Sequence, residues 1–288
     1  MTSRGRFLPS ARPPAPADDV ADAGCSGSDK SPGNGRAERA PGYKASMTKS
    51  VQRAGTSEEY TGVSTLEVLT SAVKYQRFLT GLLTRAMDAP SGDCLVADFG
   101  AGLGTLARDA RSLGWQVTCI ELDPALRARL RAEGFDAAES LDDVKPESLD
   151  FLFSYNVLEH IEDDEDVVHS FHRVLKPGAP LLLYVPAFML VYGPLDRAVG
   201  HVRRYRRKPL IDLVESAGFT VEVCHYSDSI GFAAALAHRA VGDGSGQIGE
   251  RAVKLYDSLV LPVSLRLDVL ARRFFGKNLV LIAHRRSA

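Results

Sequence analysis

Two stretches of the chain hold residues whose types and spacing suit them to chemistry. The first is Asp98-Phe99-Gly100-Ala101-Gly102-Leu103-Gly104, with Glu121 following 21 positions after Gly100. Glycines at alternate positions let the backbone turn at positive φ and approach a ligand closely. A helix starting there presents unpaired N–H groups to an anionic part of that ligand. A carboxylate at the end of the next strand accepts hydrogen bonds from both hydroxyls of a ribose. Together these features describe a nucleoside-binding turn. Dinucleotide sites carry G-x-G-x-x-G, whereas the spacing here is G-x-G-x-G with Asp98 two residues ahead. A carboxylate in that place suits a ligand that presents an ammonium rather than a pyrophosphate. The second stretch runs from Tyr192 to Tyr205 and gathers Asp196, His201, Arg203, Arg204 and Tyr205. An imidazole titrates near neutrality and can serve as a general base, and arginines bind carboxylates or phosphates.

For the first stretch to act, a strand must end near Asp98 and a helix must begin just after Gly104. The apolar run 94–99 reads as a strand buried on both faces. It is followed by a helix over 105–113, a strand over 117–121, a helix over 124–132 and a weak strand over 135–138. The rhythm then repeats, with a strand at 149–154, a helix at 165–175 stopped by Pro177-Gly178, and a strand at 181–185. A helix over 208–217 stops at Gly218, strand 219–226 follows, and 278–283 is the last strand. Alternating strands and helices imply a parallel sheet. Ahead of them, 62–87 has helical periodicity, with Val68, Tyr75, Phe78, Leu79 and Leu82 near one stripe. Between the last two strands, 228–276 carries apolar residues at helical spacing (Phe232, Leu236, Leu255, Leu259, Leu265, Val269, Phe274). That is too long for a plain connection and reads as a helical cap inserted before the final strand.

Composition bounds the remaining possibilities. Of 15 prolines in 288 residues, Pro9, Pro13, Pro14, Pro16, Pro32 and Pro41 lie among Gly, Ser and charges in the first stretch of the chain. Residues 1–57 therefore read as a disordered tail and 58–288 as one domain. Met47 offers an alternative start. At 45% hydrophobic and 25% charged, the chain is not collagen-like, wholly disordered or a disulfide scaffold. A net charge of −1 gives no global attraction for nucleic acid or an anionic membrane. Cys25, Cys94, Cys119 and Cys224 form no C-x-x-C pair and read as thiols in a reducing compartment. No apolar segment follows Arg4 and Arg6 to make a secretory signal, so a cytoplasmic location is expected. The uncharged run 177–195 is broken by Pro180, Pro186 and Pro194, which suits a buried strand and loop rather than a membrane span.

With Asp98 to Gly104 in place, the sequence resembles the class I S-adenosylmethionine-dependent methyltransferases, whose first motif is D/E-x-G-x-G-x-G. The resemblance continues through Glu121-Leu122-Asp123-Pro124, then the run from Leu149 to Ile161 that ends in Asn156-Val157-Leu158-Glu159-His160-Ile161, then Arg173-Val174-Leu175-Lys176-Pro177-Gly178. It implies an α/β, Rossmann-like seven-stranded sheet, mostly parallel with the last strand antiparallel. It also implies S-adenosylmethionine as cofactor. By the same resemblance Asp98, Gly100, Gly102 and Leu103 meet the amino acid part of that cofactor, Glu121 its ribose and Leu122 its adenine. Asn156 and Val157 lie beside the methionyl portion, and Glu139-Ser140-Leu141 borders the adenine edge. Tyr75 reads either as a lid aromatic or as a core aromatic on its helix stripe.

The segment Asp196 to Tyr205 resembles the D-x-x-x-G-H-x-R-R-Y loop of a bacterial subgroup of these enzymes. Following the fifth strand, it is the natural acceptor wall. There Asp196 would orient His201 as a base, and Arg204 and Tyr205 would bind an anionic acceptor. His160, just past the fourth strand, is a second candidate base, or else hydrogen-bonds to backbone, Glu162 or Asp163. No His, Cys, Asp or Glu group shows metal-ligand spacing along the chain. The expected activity is methyl transfer, most simply to oxygen of a small molecule, a sugar or a lipid-linked intermediate, with nitrogen and carbon acceptors open. No nucleic-acid partner is expected. The insertion 228–276, with Arg266, Arg272 and Arg273 among its apolar residues, either packs on the sheet or rests on a membrane surface. A nicotinamide-dependent oxidoreductase and a non-catalytic cofactor-binding regulator are the rival classes.

Overall fold

The computed structural model describes residues 71–87, 93–241 and 250–287, all within the unit Ala40–Ala288. The expected tail 1–57 lies outside them, as does the first part of the leading helix.

The described elements are α1 (Val73–Ala86), β1 (Leu95–Phe99), α2 (Thr105–Ser112), β2 (Gln116–Ile120), α3 (Pro124–Ala132) and β3 (Asp136–Ala138). They continue with β4 (Phe151–Tyr155), α4 (Asp164–Val174), β5 (Pro180–Pro186), α5 (Pro194–Ala198), α6 (Arg207–Ser216) and β6 (Phe219–Ser227). Then come α7 (Ser229–Val241), α8 (Glu250–Leu255), α9 (Leu261–Ala271) and β7 (Asn278–Arg285). The seven strands form one sheet in the order β3-β2-β1-β4-β5-β7-β6. β1 to β5 pair in parallel, while β7 runs antiparallel between β5 and β6. The expected α/β sheet and its antiparallel last strand are both present.

The apolar runs do the work expected of strands buried on both faces. On one face Phe99, Leu152, Leu183 and Leu281 pack with Val167 and Phe171 of α4 and Leu210 and Val214 of α6. On the other, Val96, Phe151, Phe153, Tyr184 and Ile282 pack with Leu79, Leu82 and Leu83 of α1, Ala107 and Ala110 of α2 and Leu130 of α3. Helix α3 starts where Asp123 accepts from the N–H groups of Ala125 and Leu126, with Pro124 in the first turn, a cap contributing about 1 kcal/mol. β4 begins two residues later than the apolar pattern suggests. Leu149 makes only an isolated bridge to Leu175, and the Asp150 carboxylate turns aside to accept from Leu95 N at 3.0 Å and pair with Lys176 at 2.6 Å.

The segment between β6 and β7 is largely helical where described, and buried acids tie it together and to α1. Asp268 of α9 accepts from the N–H groups of Asp228 and Ser229 at the start of α7. Asp257, in a π-helical turn at Tyr256–Val260, accepts from Lys74 N and Tyr75 N at 3.0 and 2.7 Å. The insertion thereby caps the N-terminus of α1 and sets the position of Tyr75.

Candidate active site

Parallel strands deliver the first set of residues to one edge. At the end of β1, Gly100 N and Ala101 N both donate to Ile120 O, folding the glycine turn back over β2. Gly100 has φ +79°, and a Cβ there would lie 2.2 Å from Val157 Cγ2. Only glycine fits, and the turn forms a cradle of bare backbone against Val157. Gly102 N donates to Glu121 Oε2 at 2.7 Å, and Asp123 N donates to Oε1 at 2.9 Å. Each carboxylate oxygen has a second lone pair, so Glu121 holds the loop and still has capacity to accept ribose hydroxyls. Burial raises its pKa, and the two N–H bonds pull it back. Arg127 clamps the next turn by donating to Glu121 O and Leu122 O at 2.7 and 2.9 Å.

Asp98 is 4% exposed. Burial first, and the charge of Glu121 second, push its carboxyl up to about 8. Such a group gains from a neighbouring cation. Asn156, at φ 54°, donates its N–H to Tyr184 O. The Tyr75 ring stands 6.4 Å from that of Tyr184, and burial raises its phenol to about 12. Leu103 is buried. Ser140 is also buried, and its hydroxyl caps the turn that follows by accepting from Asp142 N. A cradle that excludes side chains, a buried carboxylate suited to an ammonium and an acid with free lone pairs fit the adenosyl and amino acid parts of S-adenosylmethionine.

The second set is assembled from side chains of the turn after β4 and the segment after β5. Asp196, in α5, is almost fully buried and accepts from Gly193 N at 2.8 Å, His201 Nδ1 at 2.7 Å, and Arg204 Nε and Nη2 at 2.8 and 3.0 Å. Burial pushes its carboxyl up, but the bonds from His201 and Arg204 outweigh that and hold it at about 2. The far nitrogen of His201, Nε2, faces Glu159 Oε1 at 3.6 Å. The His160 ring stands edge-on to that of His201, centroids 4.7 Å apart. Burial, then the proximity of His201, lowers His160 to about 4. Glu159 is 0% exposed, neither of its oxygens has a hydrogen-bond partner, and burial raises it to about 8. The loop is fixed from behind, because Val202 N donates to Glu159 O and Tyr192 Oη donates to His201 O, each at 2.8 Å.

Asp196 meets His201, five residues on, and the other candidate base, His160, stands against the His201 ring. Arg204 and Tyr205 are placed differently from the expected acceptor ligands. The Arg204 guanidinium is taken up by Asp196 and by Ala187 O. Tyr205 is buried, and its hydroxyl contacts Leu158 O at 3.2 Å and Asp164 Oδ2 at 2.7 Å. These two side chains brace the loop, since satisfying a buried cation and phenol takes all the partners within reach. Sequence reasoning passed over Glu159, whose only signal was adjacency to His160. It also passed over Asp257 and Asp268, which look like ordinary acids on amphipathic helices.

Residues 97–183 match the family described as "Methyltransferase domain". A "Ubiquinone biosynthesis O-methyltransferase" from Xanthomonas oryzae pv. oryzae is 34% identical over 98 residues, covering 31% of this chain and 41% of that protein. The match therefore spans about two fifths of the relative's length. Among solved structures, the [4+2]-cyclase SpnF superposes with a TM-score of 0.50 at 20% identity, over 74% of this chain and 82% of the other. A candidate sarcosine dimethylglycine methyltransferase from Galdieria sulphuraria does so with a TM-score of 0.50 at 15% identity, over 74% and 86%. These two likenesses concern the fold, and a cyclase among them shows that the fold alone does not fix the reaction. Residues 97–183 are thus similar to a methyltransferase domain, and the seven-stranded sheet around them has a fold shared with solved structures that include a candidate methyltransferase.

Proposed function

We propose that this chain transfers a methyl group from S-adenosylmethionine to a hydroxyl oxygen of a small or lipid-linked biosynthetic intermediate. The observation that carries this reading is the junction of the two sets of residues. The cradle of Gly100 is closed by Val157, and three residues on, His160 N bonds Val157 O, bringing in the imidazole and carboxylate cluster. When bound, the cofactor supplies a methyl group on a positively charged sulfur. The protein's part is to align the acceptor oxygen behind that carbon, keep water away and draw off the hydroxyl proton. As the oxygen–carbon bond forms, the carbon–sulfur bond breaks and its electron pair returns to sulfur. The proton departs on the side of Glu159, His160 and His201, with Asp196 holding the His201 ring in orientation. The relative from Xanthomonas oryzae, an O-methyltransferase by name, supports an oxygen acceptor.

A second observation bears on the acceptor. Leu255, Leu259, Val263, Leu267, Leu270 and Phe274 are exposed and recur every three or four residues along α8 and α9, with Arg266, Arg272 and Arg273 exposed beside them. An apolar stripe flanked by arginines suits the surface of an anionic bilayer, where a lipid-linked acceptor would reside. Among the described residues no helix is long and apolar enough to cross a membrane. The free thiols of Cys94, Cys119 and Cys224 support a cytoplasmic setting.

The test is product formation from S-adenosylmethionine labelled in its methyl group, offered to a panel of phenols, catechols and polyprenylated phenols. The label should appear in an ether methyl, and His201→Ala should lower kcat by about 100-fold with cofactor affinity intact. Label recovered on nitrogen or carbon alone, or undiminished turnover in the variant, contradicts the reading.

A further inference from the structure

The placement of Glu159 poses a problem that hydrogen bonding within the protein does not solve. His201 Nδ1 is taken up by Asp196 at 2.7 Å, which leaves its other ring nitrogen, Nε2, facing Glu159 Oε1 at 3.6 Å. That gap is too wide for a hydrogen bond, and both Glu159 oxygens are left without a partner. Beside them is the His160 ring, and one ligand atom from each of Glu159, His160 and His201 lies within 4.8 Å of the others. Buried side-chain oxygens without a partner are costly, and a cation in that gap would give those of Glu159 one.

We infer that Glu159, His160 and His201 form a binding site for one divalent first-row transition cation, such as Zn2+ or Mn2+, at the acceptor edge of the sheet. Two imidazoles and a carboxylate are a donor set for such ions and leave coordination positions open. Bonds of about 2.0–2.2 Å to a shared ion put tetrahedral ligand atoms about 3.4 Å apart, so the three side chains, within 4.8 Å of one another, must draw together to close on it. The surroundings match what a metal-bound histidine needs. Its other ring nitrogen donates to a buried carboxylate, which fixes the tautomer and raises the basicity of the ligand. Asp196 does this for His201 at 2.7 Å, and Arg204 in turn holds Asp196 by two bonds. In the open positions the ion takes water or the acceptor's oxygen. With Nε2 on the ion, His201 would no longer take the proton itself; the ion would lower the pKa of a hydroxyl bound there, which would give its proton to solvent on that side of the site. This role rests on the methyl-transfer reading, whereas the site itself rests only on the side chains.

The full chain, stripped with EDTA and dialysed, is titrated with Co2+ and Zn2+ and read by calorimetry and by the visible absorption of Co2+. One equivalent should bind. Glu159→Gln, His160→Asn and His201→Asn should each weaken binding by at least about 10-fold, and Asp196→Asn by about 10-fold through the freed His201 ring. S-adenosylmethionine affinity and melting temperature are measured on the same samples. Absence of a stoichiometric equivalent in the wild-type chain, or binding that Glu159→Gln leaves unchanged, overturns the site. Either result with S-adenosylmethionine still bound leaves the methyl-transfer reading standing, and a stoichiometric ion without methyl transfer leaves the site standing.

Discussion

The cofactor edge and the acceptor edge of this molecule are built in opposite ways. The first is made by backbone. The turn after β1 is shaped by glycines, pinned to Ile120 O, and tied to Glu121 by a single N–H. Its parts come from 98–104, 121 and 156–157, each at the end of a strand, in an order that follows the strands. The acceptor edge is made by side chains, brought by the turn after β4 and the loop after β5. Glu159 and His160 follow β4, Asp196 lies in α5, and His201 with Arg204 lies in the loop beyond it. A site that requires bare backbone tolerates few residue types and leaves a dense local signature. A site assembled from side chains accepts many arrangements and leaves a sparse one. The two edges should therefore fail differently, with damage to the first showing in cofactor binding and damage to the second in turnover.

The largest effect should come from Gly100→Ala. The new Cβ would collide with Val157 at a backbone angle of φ +79°, costing about 2–4 kcal/mol and abolishing detectable S-adenosylmethionine binding. Gly114→Ala makes the comparison sharp, since φ is +89° there but nothing lies within 4 Å. It should cost only about 1 kcal/mol and leave binding intact, as thermal melts and titrations of both variants will show. Equal losses in the two would mean that backbone angle alone, and not the cradle, is at stake.

Next in size is Glu121→Ala. It removes the ribose acceptor together with the Gly102 tether, and affinity for the cofactor should fall by about 10- to 100-fold, that is about 1.5–3 kcal/mol. Turnover at saturating cofactor should change little, and unchanged affinity by calorimetry would remove Glu121 from the site.

A smaller effect depends on pH. Asp98 sits at about 8 in the folded chain against about 3.9 in an unfolded one. Between those values the folded state binds more protons than the unfolded, so this residue's contribution lowers stability as pH rises from about 4 to about 8. Asp98→Asn should flatten that part of the melting curve against pH. At pH 7 the ammonium of the cofactor should ionise Asp98, so binding should release a proton. The calorimetric enthalpy should then vary with the ionisation enthalpy of the buffer in the wild type and not in the variant. The smallest effect on the isolated protein belongs to Leu270→Asp. It should leave melting within about 0.5 kcal/mol and reduce co-sedimentation with phosphatidylglycerol vesicles. Binding to phosphatidylcholine alone, or none at all, would argue against the anionic surface.

The contrast between the edges also explains what could be read from the chain. The sheet was legible because doubly buried strands such as Leu95–Phe99 and Pro180–Pro186 need uninterrupted apolar runs, and the glycine turn was legible because few residues can replace it. Asp196 and His201 were legible as a pair because they are five residues apart on one loop. Glu159 was not, because the loop that packs beside it is joined to it by Val202 N, 43 positions away. Nor were the partners of Arg204 and Tyr205, since an exposed charge run and a buried brace look alike until the loop closes. Asp257 was hidden for the same reason, as its role at the start of α1 spans 183 residues.

The most direct test is calorimetry on the purified chain with S-adenosylmethionine and, separately, NADH. One S-adenosylmethionine should bind per chain, with the heat lost in Gly100→Ala, and NADH should give no signal. Saturable heat with NADH and none with S-adenosylmethionine would contradict the account.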